Sequence, residues 1–234
     1  MKKTLLILIL IGLMDTRAQT SNTFKTGGGG FTIGMGSMNL KAFQPYVNGR
    51  DLSQNGSQFI FGITGNKKYK RTMTGLSASI MMGEKIKTDS LNYSFSGISG
   101  SFDFGYLLVD QEHFKFFPML GLGLNNYGVK IKRKASESLP SVVTYSDRPI
   151  KINNTGINLD LSINFRFISK YKTNPKDQSK AAFMTGLKIG YVHGFDNSIW
   201  RYTGGSITNG PAFGMRMYYI KLVLGGFGYT QVKK

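Results

Sequence analysis

Between Ile157 and Phe167 the chain alternates without a miss. Ile157, Leu159, Leu161, Ile163, Phe165 and Phe167 are apolar, while Asn158, Asp160, Ser162, Asn164 and Arg166 between them are polar or charged. Successive side chains of a strand point to opposite faces, so this stretch has one oily face and one wet face. Its length matches the roughly 9–11 residues that a tilted strand needs to cross a bilayer. The oily face of such a strand meets either lipid or a sealed soluble core, and the rest of the chain has to separate the two.

The first residues supply an address. Met1-Lys2-Lys3 is basic, Thr4–Met14 is an apolar run, and small Thr16 and Ala18 stand where a signal peptidase reads. The pattern predicts a secretory signal peptide over 1–18, cut between Ala18 and Gln19, followed by one domain over 19–234. The apolar run is too short for a membrane anchor of about 18–20 residues. Cleavage removes three basic residues and one acid, so the formal charge falls from +18 to +16. In an exported chain that excess points to anionic phosphates at a membrane surface rather than to nucleic acid. The chain has no cysteine, which removes disulfide staples and a lipid-modified N-terminal cysteine.

Alternation and turn residues predict eight strands, at 29–38, 57–65, 69–83, 93–108, 114–127, 154–168, 181–194 and 213–228. The fourth sets Ile98, Phe102 and Phe104 against Ser99, Ser101 and Asp103. The last gives Ile220, Leu222 and Leu224 and then loses its register in Gly225-Gly226-Phe227-Gly228. Connections alternate in length. Asn66-Lys67-Lys68, Val109–His113 and Ser169–Lys180 are the shorter ones, whereas Gly128–Asn153 is the longest. Aromatic residues gather beside the short turns: Tyr69, Phe104, Tyr106, Phe114, Phe116, Phe117, Phe165, Phe167, Phe183, Phe227 and Tyr229. Such a girdle marks a membrane interface.

With the export signal, the two-faced strands, the unequal loops and the aromatic strand ends, the chain resembles the small eight-stranded outer-membrane β-barrel proteins of Gram-negative bacteria. The resemblance is architectural and covers nearly the whole chain after the signal. It implies an all-β, eight-stranded antiparallel up-and-down transmembrane barrel with short periplasmic turns and long extracellular loops. It also implies an integral place in the outer membrane. The strand faces then predict lipid-facing apolar bands around a narrow lumen of Gly, Ser and Asn.

Candidate functional residues fall into four groups. Aligning Leu161 with Leu187 puts Asp160 opposite Lys188 in the lumen, with Asp103 and Arg166 as further inward charges; a neutralised network closing the pore is expected. Lys130, Lys132, Arg133, Lys134, Arg148 and Lys151 make the longest loop basic and suit the phosphates of lipopolysaccharide. Leu40, Phe43 and Tyr46, with Trp200 and Tyr202, are apolar for outside loops; they fold over the mouth, lie at the interface or dock another outer-membrane protein. His193, Asp196 and Ser198 are the one histidine-centred group, and some barrels of this kind modify lipids with such residues near the outer rim. No catalytic residue is expected from these three, because serine and aspartate are common turn formers. No cofactor or metal is expected either, because cysteine is absent and Gly27–Gly30 lacks the following Lys-Ser/Thr of a phosphate loop. The function expected is therefore structural: an adaptor subunit of a larger outer-membrane assembly or a platform for surface glycolipid. A lipid-modifying enzyme and a narrow passive pore are the alternatives.

Overall fold

The computed structural model describes residues 24–46, 56–87, 91–133, 149–174, 179–208 and 210–231. Eight long strands dominate it: β1 (Phe24–Met38), β2 (Gly56–Tyr69), β3 (Thr72–Lys87), β4 (Leu91–Tyr106), β5 (Phe114–Arg133), β6 (Ile150–Ile168), β7 (Lys180–Gly194) and β8 (Arg216–Gln231). Each pairs antiparallel with the next, and β8 pairs back onto β1 from Met38↔Met217 to Phe24↔Gln231. The sheet is therefore closed and has no free edge among these strands.

The strands follow from the sequence pattern. Phe31, Ile33 and Met35 of β1, Leu120, Leu122 and Leu124 of β5, and Leu161 and Ile163 of β6 all face outward and are exposed. Asn158, Asp160, Ser162, Asn164 and Arg166 point inward and are buried. With 14 to 20 residues, the long strands exceed what a bilayer crossing needs, so the wall stands clear of the membrane, most of all at β5 and β6.

Three details differ from the sequence expectation. The β2–β3 turn is Lys70-Arg71 rather than 66–68, with Lys70 in the left-handed region at φ 51°. Asn66, Lys67 and Lys68 continue the ladder instead, opposite Gly75, Thr74 and Met73. β8 keeps its register through Gly225–Gly228 in both pairings. It only looks broken because Phe227 is an apolar residue on the inward face. Finally, β6 and β7 meet four residues away from the expected register, with Asn164 and not Asp160 opposite Lys188. A shift of four is even, so every side chain keeps its face.

The remaining connections hold small elements. Lys41–Tyr46 is a 3-10 helix, and Trp200–Tyr202 with Gly205–Ile207 forms a short hairpin that pairs onto Ile152–Asn154 of β6. Both lie at the long-loop end of the barrel.

Candidate functional site

The lumen has three layers. In the middle layer Lys188 Nζ donates to Asp160 Oδ2 at 2.9 Å, and the Tyr219 hydroxyl donates to Asp160 Oδ1 at 2.6 Å. The two residues touch despite the shifted register, because Lys188 is long enough to reach along the wall. Asp103 accepts from Ser77 at 2.8 Å and from Ser101 at 2.9 Å. Gly121 sits between the two carboxylates; a Cβ there would come within 2.4 Å of Asp103 Oδ1. Lys221 lies over the Tyr219 ring, 4.4 Å from its centroid, and reaches Ser79 Oγ at 3.4 Å. Arg166 donates to Asn164 Oδ1 at 3.4 Å. Buried charges are tolerated best when paired and hydrogen-bonded. Asp160, Lys188 and Tyr219 meet that condition, whereas Arg166 has only the Asn164 contact and its Nη1 is buried without a partner among the described residues. A cavity of about 20 Å³ beside Ser77, Asn158 and Lys221 is the size of one water molecule.

With the charges inside and the apolar bands outside, the solvent around this wall is hydrocarbon. The chain is an eight-stranded transmembrane β-barrel.

Above and below the middle layer the inward face is mostly apolar, with Gln58 and Asn154 above and Lys115 below as buried polar exceptions, whereas a narrow lumen of Gly, Ser and Asn was expected. At the short-turn end Met73, Leu107, Phe117, Met184, Val223 and Phe227 form a buried cluster. Phe117 and Phe227 belong to this plug and not to the interfacial girdle that the sequence suggested. The girdle itself keeps Tyr69, Phe104, Phe167 and Phe183 exposed. Its strand-end rings pair as Phe114–Phe167 at 5.1 Å and Phe116–Phe165 at 5.0 Å.

At the long-loop end a larger plug closes the mouth. Phe43 of the 3-10 helix packs 5.6 Å from Phe95, 5.4 Å from Trp200 and 5.2 Å from Phe213. Trp200 is fully buried, and its indole N–H donates to the Pro211 carbonyl at 2.8 Å. Asn154 of β6 ties the same loop down through the carbonyls of Asn197 and Ile199. Leu40, Phe43 and Trp200 are thus inside the barrel mouth, the first of the three placements expected for them, and as buried residues they offer no docking surface. Burying three large apolar side chains is worth more than exposing them, at about 1.5–3 kcal/mol each. Tyr202 remains exposed on the hairpin, and the side chain of Tyr46 lies outside the described residues.

The basic rim sits on the outward face at the long-loop end. Lys130 and Lys151 are direct ladder partners, and Lys132 follows two residues on; all three are exposed. Lys134, Arg148 and the side chain of Arg133 lie outside the described residues. The histidine group does not converge. His193 packs against Tyr191 and Phe195, and Asp196 is held by Arg216 at 2.8 Å. No hydrogen bond joins His193 to Asp196 or Ser198 among the described residues, and none of them clusters with others as a metal site.

At the short-turn end Lys68 and Lys115 both pair with Asp110. Partial burial raises the pKa of this carboxyl, but hydrogen bonds from Lys115 and Lys68 outweigh it and hold it below the usual carboxylate value. Sequence reading missed this triad. Lys68 was assigned to a turn, and only the ladder brings it to the strap Val109-Asp110.

No protein-family model and no curated protein matches this chain. Among solved structures it is similar to Ail, the attachment invasion locus protein of Yersinia pestis, at 10% identity and TM-score 0.40, covering 89% of this chain and 99% of that one. It is similar also to neisserial surface protein A, at 12% identity and TM-score 0.37, covering 89% and 97%. A third is the outer membrane protein OprG of Pseudomonas aeruginosa, at 12% identity and TM-score 0.41, covering 88% and 94%. No residue correspondence follows at these identities.

Proposed function

We propose that this chain is a non-catalytic, sealed barrel of the outer membrane, exported through a cleaved signal peptide over 1–18. It works as a rigid platform: the wall fixes the long-loop end in place for surface glycolipid such as lipopolysaccharide, or for neighbouring outer-membrane proteins. The observation that carries this reading is the closed lumen. Apolar side chains fill both ends, and between them Asp160 is held by Lys188 and Tyr219 and Asp103 by two serines, so a solute has no continuous wet path. Eight strands leave an interior that side chains can fill. The pore reading would need the plug of Phe43, Trp200 and Phe213 to move aside. The enzyme reading would need a nucleophile and a base within hydrogen-bond reach, and His193 is instead packed against aromatic rings.

The test is electrical. Purified barrel inserted into planar lipid bilayers is expected to pass no steady current across the physiological voltage range. A stable, reproducible single-channel conductance from the wild type would overturn the platform reading in favour of a pore.

A further inference from the structure

The outward faces of β5 and β6 run through the same chemical order, and β3 passes from apolar residues directly to a lysine. Rising toward the long-loop end, β5 presents Leu124, Asn126 and Lys130, and β6 presents Ile157, Thr155 and Lys151. β3 presents Ile80 and Met82 and then, beyond a register shift, Lys85. Hydrocarbon, uncharged polar and cationic residues follow one another as the acyl chain, linkage region and phosphate of a lipid do.

The lysines form one row. Lys85 pairs with Ser94, Ser94 with Lys130, and Lys130 with Lys151. Like charges directly opposite each other destabilise a ladder. None of the three has an ion-pair partner among the described residues. At a tilt of about 40° each residue climbs roughly 2.5 Å. Asn126 and Thr155 then stand about 30 Å above the short-turn ends, and Lys130 and Lys151 about 40 Å, which are the depths of the hydrocarbon boundary and of the headgroups.

Below the lysines the wall is hollowed. Ala78 and Gly100 are ladder partners, both exposed on the outer face, and they floor a groove of about 660 Å³. Ile63, Ile98 and Leu124 stand at its sides, and the Asn126–Thr155 hydrogen bond at 3.3 Å crosses its upper end. The hollow is apolar and open to the side, with room for a hydrocarbon chain. A wall that only had to meet fluid lipid would need neither the hollow nor the facing lysines.

We propose that this face is a binding site for one phosphorylated, multi-acyl glycolipid of the outer leaflet. Its phosphate lies on Lys85, Lys130 and Lys151, and one acyl chain lies in the groove over Ala78 and Gly100. The proposal rests on the membrane-platform reading and names the ligand of that platform. Cationic side chains supply charge-assisted hydrogen bonds to phosphate, and the groove supplies shape that a smooth wall lacks.

The experiment is native mass spectrometry of the full chain released from detergent micelles. The probes are a bisphosphorylated acylated glucosamine disaccharide, its dephosphorylated form and phosphatidylglycerol. The wild type is expected to retain one copy of the bisphosphorylated lipid in preference to the other two. Lys85→Gln/Lys130→Gln/Lys151→Gln is expected to weaken retention about ten-fold and to erase the phosphate preference. Ala78→Phe/Gly100→Phe, which fills the groove, is expected to weaken retention while keeping that preference. A Cβ at Gly100 meets only Ser77 O at 3.8 Å, so this variant folds without a backbone clash. Gly65→Phe, at an outward position with open space outside the groove, serves as the control and is expected to bind like wild type. Equal retention of phosphatidylglycerol by the wild type, or wild-type binding by either multiple variant, would overturn the site. A conductance would sink the platform reading without altering these ratios, so the two failures are distinguishable.

Discussion

Halfway up the lumen, Asp160 is held by Lys188 and Tyr219, and Asp103 by two serines. One layer toward either end, the inward positions carry Phe117 and Phe227 or Tyr127, and the loop residues Phe213 and Trp200 join the upper group. β5 alone displays the contrast. Its inward face reads Phe117 and Met119, then Gly121, Gly123 and Asn125, then Tyr127 and Val129. In the middle, glycine leaves room for carboxylates against the wall, and the Asp160–Lys188 pair and hydroxyl hydrogen bonds stabilise them. The ends are filled by close-packed rings. The difference teaches that facing the lumen dictates burial but not polarity: an inward side chain must be satisfied, either by hydrogen bonds or by neighbours of its own kind.

The largest effect is expected at an end. Trp200→Ala removes the largest fully buried side chain of the upper plug and should cost about 3–5 kcal/mol, read as a lowered urea midpoint in lipid vesicles. A loss under about 1 kcal/mol would mean that the plug collapses around the gap and that packing there is loose. The middle should respond differently. Asp160→Ala leaves Lys188 buried and uncompensated and should cost about 3 kcal/mol. Adding Lys188→Met to it should restore much of that loss, because the stranded charge goes with it. If the double variant is as unstable as the sum of its parts, the pair is not a unit.

Smaller still is the effect at the short-turn rim. Asp110 is held below its usual value of 3.8 in the folded barrel. Its ion pairs therefore contribute stability that is fully present above that value and lost as pH falls through the lower folded one. Asp110→Asn should destabilise the barrel modestly at neutral pH and flatten the acid limb of its stability curve. An unchanged acid limb would show that the loss belongs to other carboxylates.

The contrast between middle and ends also explains what was legible in the sequence. The outward bands were readable because lipid demands one kind of residue over the whole height, so Ile157 to Phe167 alternates cleanly. The middle of the lumen was readable for the complementary reason, and Asp160 with Lys188 stood out as opposite charges on one face. The plugs were hidden. Phe117 and Phe227 obey the period of two on the inward side, where an apolar residue looks like a lost register or an interfacial ring. Leu40, Phe43 and Trp200 come from loops with no period at all, and only the closed sheet places them in its mouth. The register of β6 on β7 was beyond reach because a shift of four preserves every face. The groove over Ala78 and Gly100 is likewise made of residues that are neighbours only across strands.

The most direct test of the account asks which solvent each face meets. The chain has no cysteine, so a single cysteine at Ile163 can carry an environment-sensitive fluorophore in reconstituted vesicles, whereas one at fully buried Asn164 is expected to stay unlabelled by the same thiol reagent. Quenchers fixed along lipid acyl chains are expected to extinguish the probe at 163 strongly. Ready labelling at 164, with a probe at 163 that the lipid quenchers leave untouched, would turn the wall inside out and contradict the account.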